Sequence, residues 1–173
     1  MKKSGLVILA VGLLLLPGVR GRARSIADPS DPTSSERWLM WKSGSRMARD
    51  HLLTGVGPAQ VKRVYPQYAA PEVANKSRGH LHNTPIQILV ERGILGLTAW
   101  LWLFAAFFVR AARVARRVRE PRDRALVVGA VAAIAGFLAA GLFEHNFGDS
   151  EVLLVALLVM AIVFVIEREA PTG

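Results

Sequence analysis

The 173-residue sequence contains no cysteine, and its 13 acidic residues are few beside 22 lysines and arginines. Without cysteine there is no disulfide framework, no thiolate nucleophile and no cysteine-based metal site. A glycine-rich nucleotide loop, a Walker pattern and a Ser/His/Asp order are also missing. Any chemistry therefore has to come from histidines, arginines and carboxylates.

The surplus of basic residues gives a net charge of +9 and a pI of about 11.0. No motif that reads DNA or RNA accompanies this charge, so nucleic acid is not expected as a partner. Arginines are instead concentrated between two apolar stretches: Arg110, Arg113, Arg116, Arg117, Arg119, Arg122 and Arg124. By the positive-inside rule, such a cluster indicates the cytoplasmic side of a membrane protein.

Apolar residues make up 52% of the chain and are gathered into blocks. This pattern predicts an all-α integral membrane protein with about four transmembrane helices. The predicted spans are 1–20, 86–109, 126–143 and 152–167. Segment 1–20 is either the first transmembrane helix or a signal-like segment. Arginines rather than a small-residue cleavage site follow it, which favours an uncleaved helix.

The predicted topology follows from placing the basic loop 110–125 in the cytoplasm. Alternation of the spans then makes 21–85 a long periplasmic loop, 144–151 a periplasmic turn and 168–173 a cytoplasmic tail. The long loop is predicted to carry short amphipathic helices.

The first of these helices is predicted to start at a Ser34 or Ser35 cap and to end near His51. Its Trp38 and Trp41 suit either the lipid–water interface or packing against another protein element. The sequence leaves both alternatives open.

A polar turn with two histidines precedes the second predicted span, in the segment GHLHNTPIQILVERG. Thr84 is predicted to be the N-cap, with Pro85 at the first helical position and Gln87 reaching back in a capping box. His82 and Asn83 then lie ahead of a helix N-terminus, where free backbone N–H groups favour an anion. A neutral histidine at this position could act as a general base.

The predicted topology gathers further ionisable residues at the same membrane face: Arg37, Glu91, Arg92, Glu144 and His145. Arginines there could pair bidentately with phosphate oxygens. The plain alternative is that the histidines and carboxylates only form hydrogen bonds within loops.

Metal binding is a third interpretation of the same residues. His80, His82, Glu144 and His145 could supply ligands for zinc or a similar ion. His-x-His pairs are common by chance and no supporting carboxylate is evident in the sequence. No metal and no other cofactor are therefore predicted.

An ordered set of motifs resembles the O-antigen ligase and polysaccharide polymerase superfamily of bacterial inner membranes. The set consists of Arg37-Trp38 on a helix, HLLTGVGPAQ at 51–60, Tyr-Pro at 65–66, HNTPIQILVERGILG at 82–96, and the turn FEHNFGDSE at 143–151. The resemblance covers about residues 34–155. Family members are longer, so the chain resembles their C-terminal portion, and upstream transmembrane helices are expected as partners.

The resemblance implies an inverting, metal-independent glycosyltransferase in the bacterial inner membrane, with its catalytic loop in the periplasm. The implied donor is a glycan on undecaprenyl diphosphate, and the implied acceptor is lipid A core. A growing glycan, as in a polymerase, or a protein hydroxyl are alternative acceptors. A non-catalytic membrane subunit or fragment is the rival class.

The resemblance also implies roles for individual residues. His82 is implied to activate the acceptor hydroxyl, and Arg37 is the best match for an arginine that holds the diphosphate. Asn83 and Arg92 are further candidates for substrate binding. The supporting candidates are Gln87, Glu91, Glu144 and His145.

Overall fold

The computed structural model describes residues 32–73 and 76–169, and every regular element among them is helical. The elements are α1 (Pro32–Asp50), α2 (Val61–Val64), a 3₁₀ turn (Tyr65–Gln67), α3 (Thr84–Arg117), α4 (Pro121–Gly141), a 3₁₀ turn (Asn146–Gly148) and α5 (Ser150–Glu169). This confirms the all-α class. The predicted first span, 1–20, lies outside the described residues.

Three of the described helices, α3, α4 and α5, are long and apolar enough to cross a membrane. They pack as a bundle around buried side chains spaced three or four residues apart, among them Phe107, Val114, Ile134 and Val163. Most of the other large apolar side chains on these helices point outward, as a surface in contact with lipid requires. The chain is therefore a helical membrane protein.

The segment 110–125, predicted as a loop, is helical apart from a short link. α3 continues through Arg117 because arginine and alanine favour helix, and α4 starts at Pro121, whose fixed φ suits a first turn. Arg110 donates from Nε to Oε2 of Glu167 on α5 at 2.6 Å. The basic cluster thus lies mainly on two helix ends, and its cytoplasmic location stays a prediction.

α1 begins before its predicted cap. It extends from Pro32 to Asp50, so Ser34 and Ser35 lie inside the helix and the capping prediction is wrong. Proline is favoured in the first turn of a helix, which explains a start ahead of the serines. The predicted end near His51 agrees with the structure to within one residue.

The two tryptophans of α1 have different environments. Met40 and Met47 are buried in a second core that also contains Val90 of α3. Trp41 is half-buried and its Nε1 donates to the carbonyl of Leu81 at 3.0 Å, so Trp41 packs against protein. Trp38 is 61% exposed.

α3 is interrupted at Gly93, which has a φ of 65° and a ψ of −168°. A β-carbon at this position would lie 2.2 Å from the carbonyl oxygen of Leu53, so the chain approaches too closely for any residue but glycine. Backbone hydrogen bonds of 2.8–3.0 Å from the 51–60 loop occupy groups near the break: Ile94 N–H to Leu52 O, Val56 N–H to Val90 O, and Gly57 N–H to Glu91 O. The Gly-Val-Gly turn therefore fixes the loop to the break.

Candidate functional site

The turn before α3 is built around His82 and Asn83. His82 has a φ of 48°, in the left-handed region. Asn83 is the N-cap, and its Oδ1 accepts a hydrogen bond from the backbone N–H of Ile86 at 2.9 Å. The prediction of Thr84 as N-cap is wrong by one residue, because Thr84 is already helical and its hydroxyl donates to the carbonyl oxygen of Glu144.

Two hydrogen bonds to backbone carbonyls connect this turn to the chain after α4. The amide Nδ2 of Asn83 donates to the carbonyl oxygen of Leu142 at 2.8 Å, and Thr84 Oγ1 donates to that of Glu144 at 2.9 Å. Both the oxygen and the nitrogen of the Asn83 side-chain amide are therefore hydrogen-bonded within the protein. The two connections place the Glu144 side chain beside His82.

We expect Asn83→Ala to lower the free energy of unfolding by about 2 kcal/mol, about 1 for the lost cap and about 1 for the lost bond to Leu142. Asn83→Asp retains the cap acceptor but cannot donate to the carbonyl, so it should be intermediate. Apparent unfolding temperatures in detergent test this order. An Asn83→Ala protein as stable as the wild type would contradict the assigned role.

His82 and Glu144 form a hydrogen-bonded pair. Nδ1 of His82 lies 2.9 Å from Oε1 and 3.1 Å from Oε2 of Glu144. Burial acts to raise the pKa of Glu144, but hydrogen bonds from the His145 backbone and from His82 outweigh it and lower the pKa below its ordinary value. An ionised carboxylate can only accept a hydrogen bond, so an ionised Glu144 holds a proton on Nδ1 of His82. Whenever the ring carries a single proton, Nε2 is then the proton acceptor.

Two more histidine rings surround this pair. The ring centroid of His80 lies 4.2 Å from that of His82 and 6.3 Å from that of His145. Burial lowers the pKa of both His80 and His145, and positive neighbours lower it further despite the nearby carboxylates. The surroundings therefore favour uncharged imidazole rings at these two positions.

Arg37 lines a cavity of about 90 Å³ together with Ser34, Trp38, Trp41 and Phe143. Two of the lining residues connect this cavity to the histidine–glutamate pair. Trp41 is hydrogen-bonded to Leu81, which immediately precedes His82, and Phe143 immediately precedes Glu144. The cavity is thus connected to the pair through residues that adjoin each of its two members in the chain.

Gln87 and Glu91 connect the histidine turn with the 51–60 loop. Oε1 of the buried Glu91 accepts from Gln87 Nε2 at 2.8 Å and from the backbone N–H of Ala59 at 3.2 Å. Gln87 Oε1 accepts a hydrogen bond from the backbone N–H of Leu81 at 2.9 Å. Its partner therefore lies three residues before Thr84, the partner that the capping box predicted. Both side chains bind protein groups on either side of the turn.

Arg92 belongs to a different cavity. Its NH1 lies 3.6 Å from Oε2 of Glu91, and its side chain lines a groove of about 230 Å³ that also contains Trp100 and Phe147. The structure therefore brings His82 and Glu144 together, connects the Arg37 cavity to them through Trp41 and Phe143, and places Arg92 at a second groove.

Neither Trp41 nor Phe143 was predicted to be a site residue. Trp41 follows Arg37 by four residues, which puts both on one face of α1, and that spacing is a usable signal. Phe143 could not be found in this way, because its proximity depends on how α4 packs against α3.

The chain is thus a helical membrane protein with a histidine–carboxylate pair that is connected, through Trp41 and Phe143, to a cavity lined by Arg37. The model of the O-antigen ligase family matches residues 3–101, more than half of the chain. The chain belongs to this family, which confirms the resemblance found in its motifs.

The chain is also similar to the exopolysaccharide production protein ExoQ of Rhizobium meliloti (strain 1021), with 28% identity over 142 residues. The alignment covers 76% of this chain and 30% of ExoQ. The chain thus spans about a third of the length of that relative.

Proposed function

We propose that this chain carries the catalytic loop of an O-antigen ligase-like glycosyltransferase. The enzyme transfers a glycan from an undecaprenyl-diphosphate carrier to lipid A core at the periplasmic face of the bacterial inner membrane. The observation that carries the proposal is the His82–Glu144 pair, which is connected through Trp41 and Phe143 to the cavity lined by Arg37. Membership of the O-antigen ligase family supports it, and the transmembrane helices expected upstream complete the lipid-binding region.

In the proposed reaction, His82 is the general base. Glu144 holds Nδ1–H, so Nε2 takes the proton of the acceptor hydroxyl as its oxygen attacks the anomeric carbon. The bond from that carbon to the diphosphate breaks, and the diphosphate leaves with the electron pair. Attack opposite the leaving group inverts the anomeric centre. The Glu144 carboxylate stabilises the imidazolium that forms.

Arg37 holds the diphosphate in this proposal. A guanidinium group pairs bidentately with phosphate oxygens and offsets the charge that the leaving group develops. The neighbouring Trp38 and Trp41 offer flat apolar surfaces on which a sugar ring can pack. Asn83, Gln87 and Glu91 act through the position of the turn, and Arg92 is a second cation available to the lipid diphosphate.

We expect Arg37→Ala to lower the rate of transfer about 10²-fold, the loss typical of one group that stabilises transition-state charge. Arg37→Lys should be intermediate, because it keeps the charge but loses the bidentate fork. Initial rates with a saturating lipid-linked donor measure both. Arg49→Ala, which removes an exposed arginine from the same helix, is the matched control. An equal loss of rate there would mean that Arg37 acts through general positive charge and not by holding the diphosphate.

A second candidate is a polymerase that extends the glycan on its lipid carrier. The similarity to a protein named for exopolysaccharide production favours it. The chemistry at His82 would be the same, with a sugar hydroxyl of another lipid-linked glycan as the acceptor. A protein hydroxyl is a third possible acceptor.

The acceptor can be identified with one labelled donor. Membranes that contain the complete enzyme are supplied with a radiolabelled undecaprenyl-diphosphate glycan and lipid A core. Label on lipid A core supports the ligase, whereas longer glycans that remain on the carrier support the polymerase. No transfer to any acceptor would contradict both and favour a non-catalytic subunit.

A further inference from the structure

Three side chains of the kind that bind metals converge where the turn before α3 meets the turn after α4. His80, His82 and Glu144 each offer one ligand atom, and these atoms lie within 4.8 Å of one another. Nδ1 of His80 and Nδ1 of His82 lie 3.9 Å and 2.9 Å from the same oxygen, Oε1 of Glu144. Two imidazole nitrogens and one carboxylate oxygen form a known zinc donor set.

The distances suit a small tetrahedral ion. Zinc bonds of about 2.0–2.1 Å place neighbouring ligand atoms about 3.3 Å apart. The two distances to Glu144 Oε1 lie on either side of this value, and all three ligand atoms lie within 4.8 Å of one another.

An independent observation also points to a ligand. Nδ1 of His80 is buried and has no hydrogen-bond partner within the described part of the chain. A buried polar atom without a partner is costly, and a metal ion bound between His80 and Glu144 would remove that cost.

We propose that His80, His82 and Glu144 form a binding site for a divalent transition metal of the zinc type, and that the bound metal inhibits glycan transfer. Three protein ligands leave the fourth tetrahedral position to water. The metal is a regulator in this inference, and the transfer reaction itself does not use it.

Inhibition follows from the two nitrogens of His82, and this half of the inference rests on the proposed function. A neutral imidazole carries one N–H. When the metal takes the lone pair of Nδ1, the ring proton resides on Nε2. Nε2 is then a donor and cannot accept the proton of an acceptor hydroxyl. Metal binding and general-base catalysis therefore exclude each other at His82.

Metal binding is tested on the full chain, purified in detergent. Co²⁺ is titrated while the visible absorption of tetrahedral cobalt is recorded, and Zn²⁺ is then added to displace it. We expect one ion per chain in the wild type. His80→Gln should weaken binding at least about 10-fold. His51→Gln, which alters an exposed histidine at the end of α1, is the matched control.

The helical circular dichroism signal verifies that each variant is folded. Glu144→Gln provides a second variant, and it should also weaken binding. Failure of the folded wild type to bind Co²⁺ or Zn²⁺ would overturn the inference. Equal binding by wild type, His80→Gln and Glu144→Gln would do the same.

Inhibition is tested on the complete enzyme as the ratio of transfer rates with and without Zn²⁺. We expect Zn²⁺ to lower the wild-type rate, EDTA to restore it, and His80→Gln to be less sensitive. A metal-saturated enzyme with an undiminished rate would overturn the inhibitory role. If no transfer occurs under any condition, the proposed function fails while the binding result still stands on its own.

Discussion

Replacing His82 with alanine is expected to lower the rate of glycan transfer by about 10²–10⁴-fold, the usual contribution of a positioned general base. The reason is that Nε2 of His82 takes the proton of the acceptor hydroxyl, and alanine leaves no group that could replace it. The rate constant kcat of the complete enzyme at saturating donor measures the effect. Donor binding should change little, because the diphosphate is held by Arg37.

Substitutions of Glu144 test the other member of the pair. Glu144→Gln retains a side-chain oxygen that can accept Nδ1–H at 2.9 Å, but it lacks the charge that stabilises the imidazolium. We expect a loss of about 10-fold in kcat for glutamine, equivalent to about 1.4 kcal/mol, and a larger loss for alanine. Glu151→Gln, which alters an exposed carboxylate beyond the same turn, is the control, and its kcat should be unchanged.

A His82→Ala enzyme that remained active would contradict the role of His82 as the general base.

The second large effect is expected at the break in α3. Gly93→Ala places a β-carbon 2.2 Å from the carbonyl oxygen of Leu53, at a φ of 65° that costs alanine about 1–2 kcal/mol by itself. Relief of the clash also has to displace the loop whose hydrogen bonds occupy the break. We expect a total loss of about 3 kcal/mol or more, a large part of the stability of a small domain.

The yield of monodisperse protein and its resistance to protease measure this loss. Gly129→Ala is the matched control, since a β-carbon there meets no atom within 4 Å among the described residues. Alanine in an exposed helix interior should be neutral or stabilising by up to about 1 kcal/mol. If Gly93→Ala behaved like Gly129→Ala, the close approach of Leu53 to the break would be wrong.

The break also shows where sequence reasoning about the fold reached its limit. The apolar blocks were sufficient to predict α3, α4 and α5, because length and composition determine which helices can span a membrane. A glycine within an apolar helical pattern is ordinarily tolerated, so Gly93 alone does not predict a break. The break depends on the contact with Leu53, about 40 positions earlier in the chain.

The site was predictable where it depended on helix direction and unpredictable where it depended on packing. Antiparallel neighbours bring the start of α3 to the end of α4, so His82 and Glu144 could be expected at one face of the bundle. The N-cap of α3 was harder to predict, because asparagine and threonine are both good N-cap residues and Asn83 and Thr84 are adjacent. The carbonyl of Glu144 binds the hydroxyl of Thr84 and leaves the cap to Asn83.

Genetic complementation of a ligase-deficient strain tests the catalytic role of His82 most directly. The chain is expressed alone and together with the transmembrane helices expected upstream, each with and without His82→Ala. We expect the complete protein to restore a capped lipopolysaccharide ladder, and His82→Ala to abolish that ladder at an unchanged level of membrane protein. A ladder of wild-type intensity from the His82→Ala protein would contradict the role of His82 as the general base of the transfer.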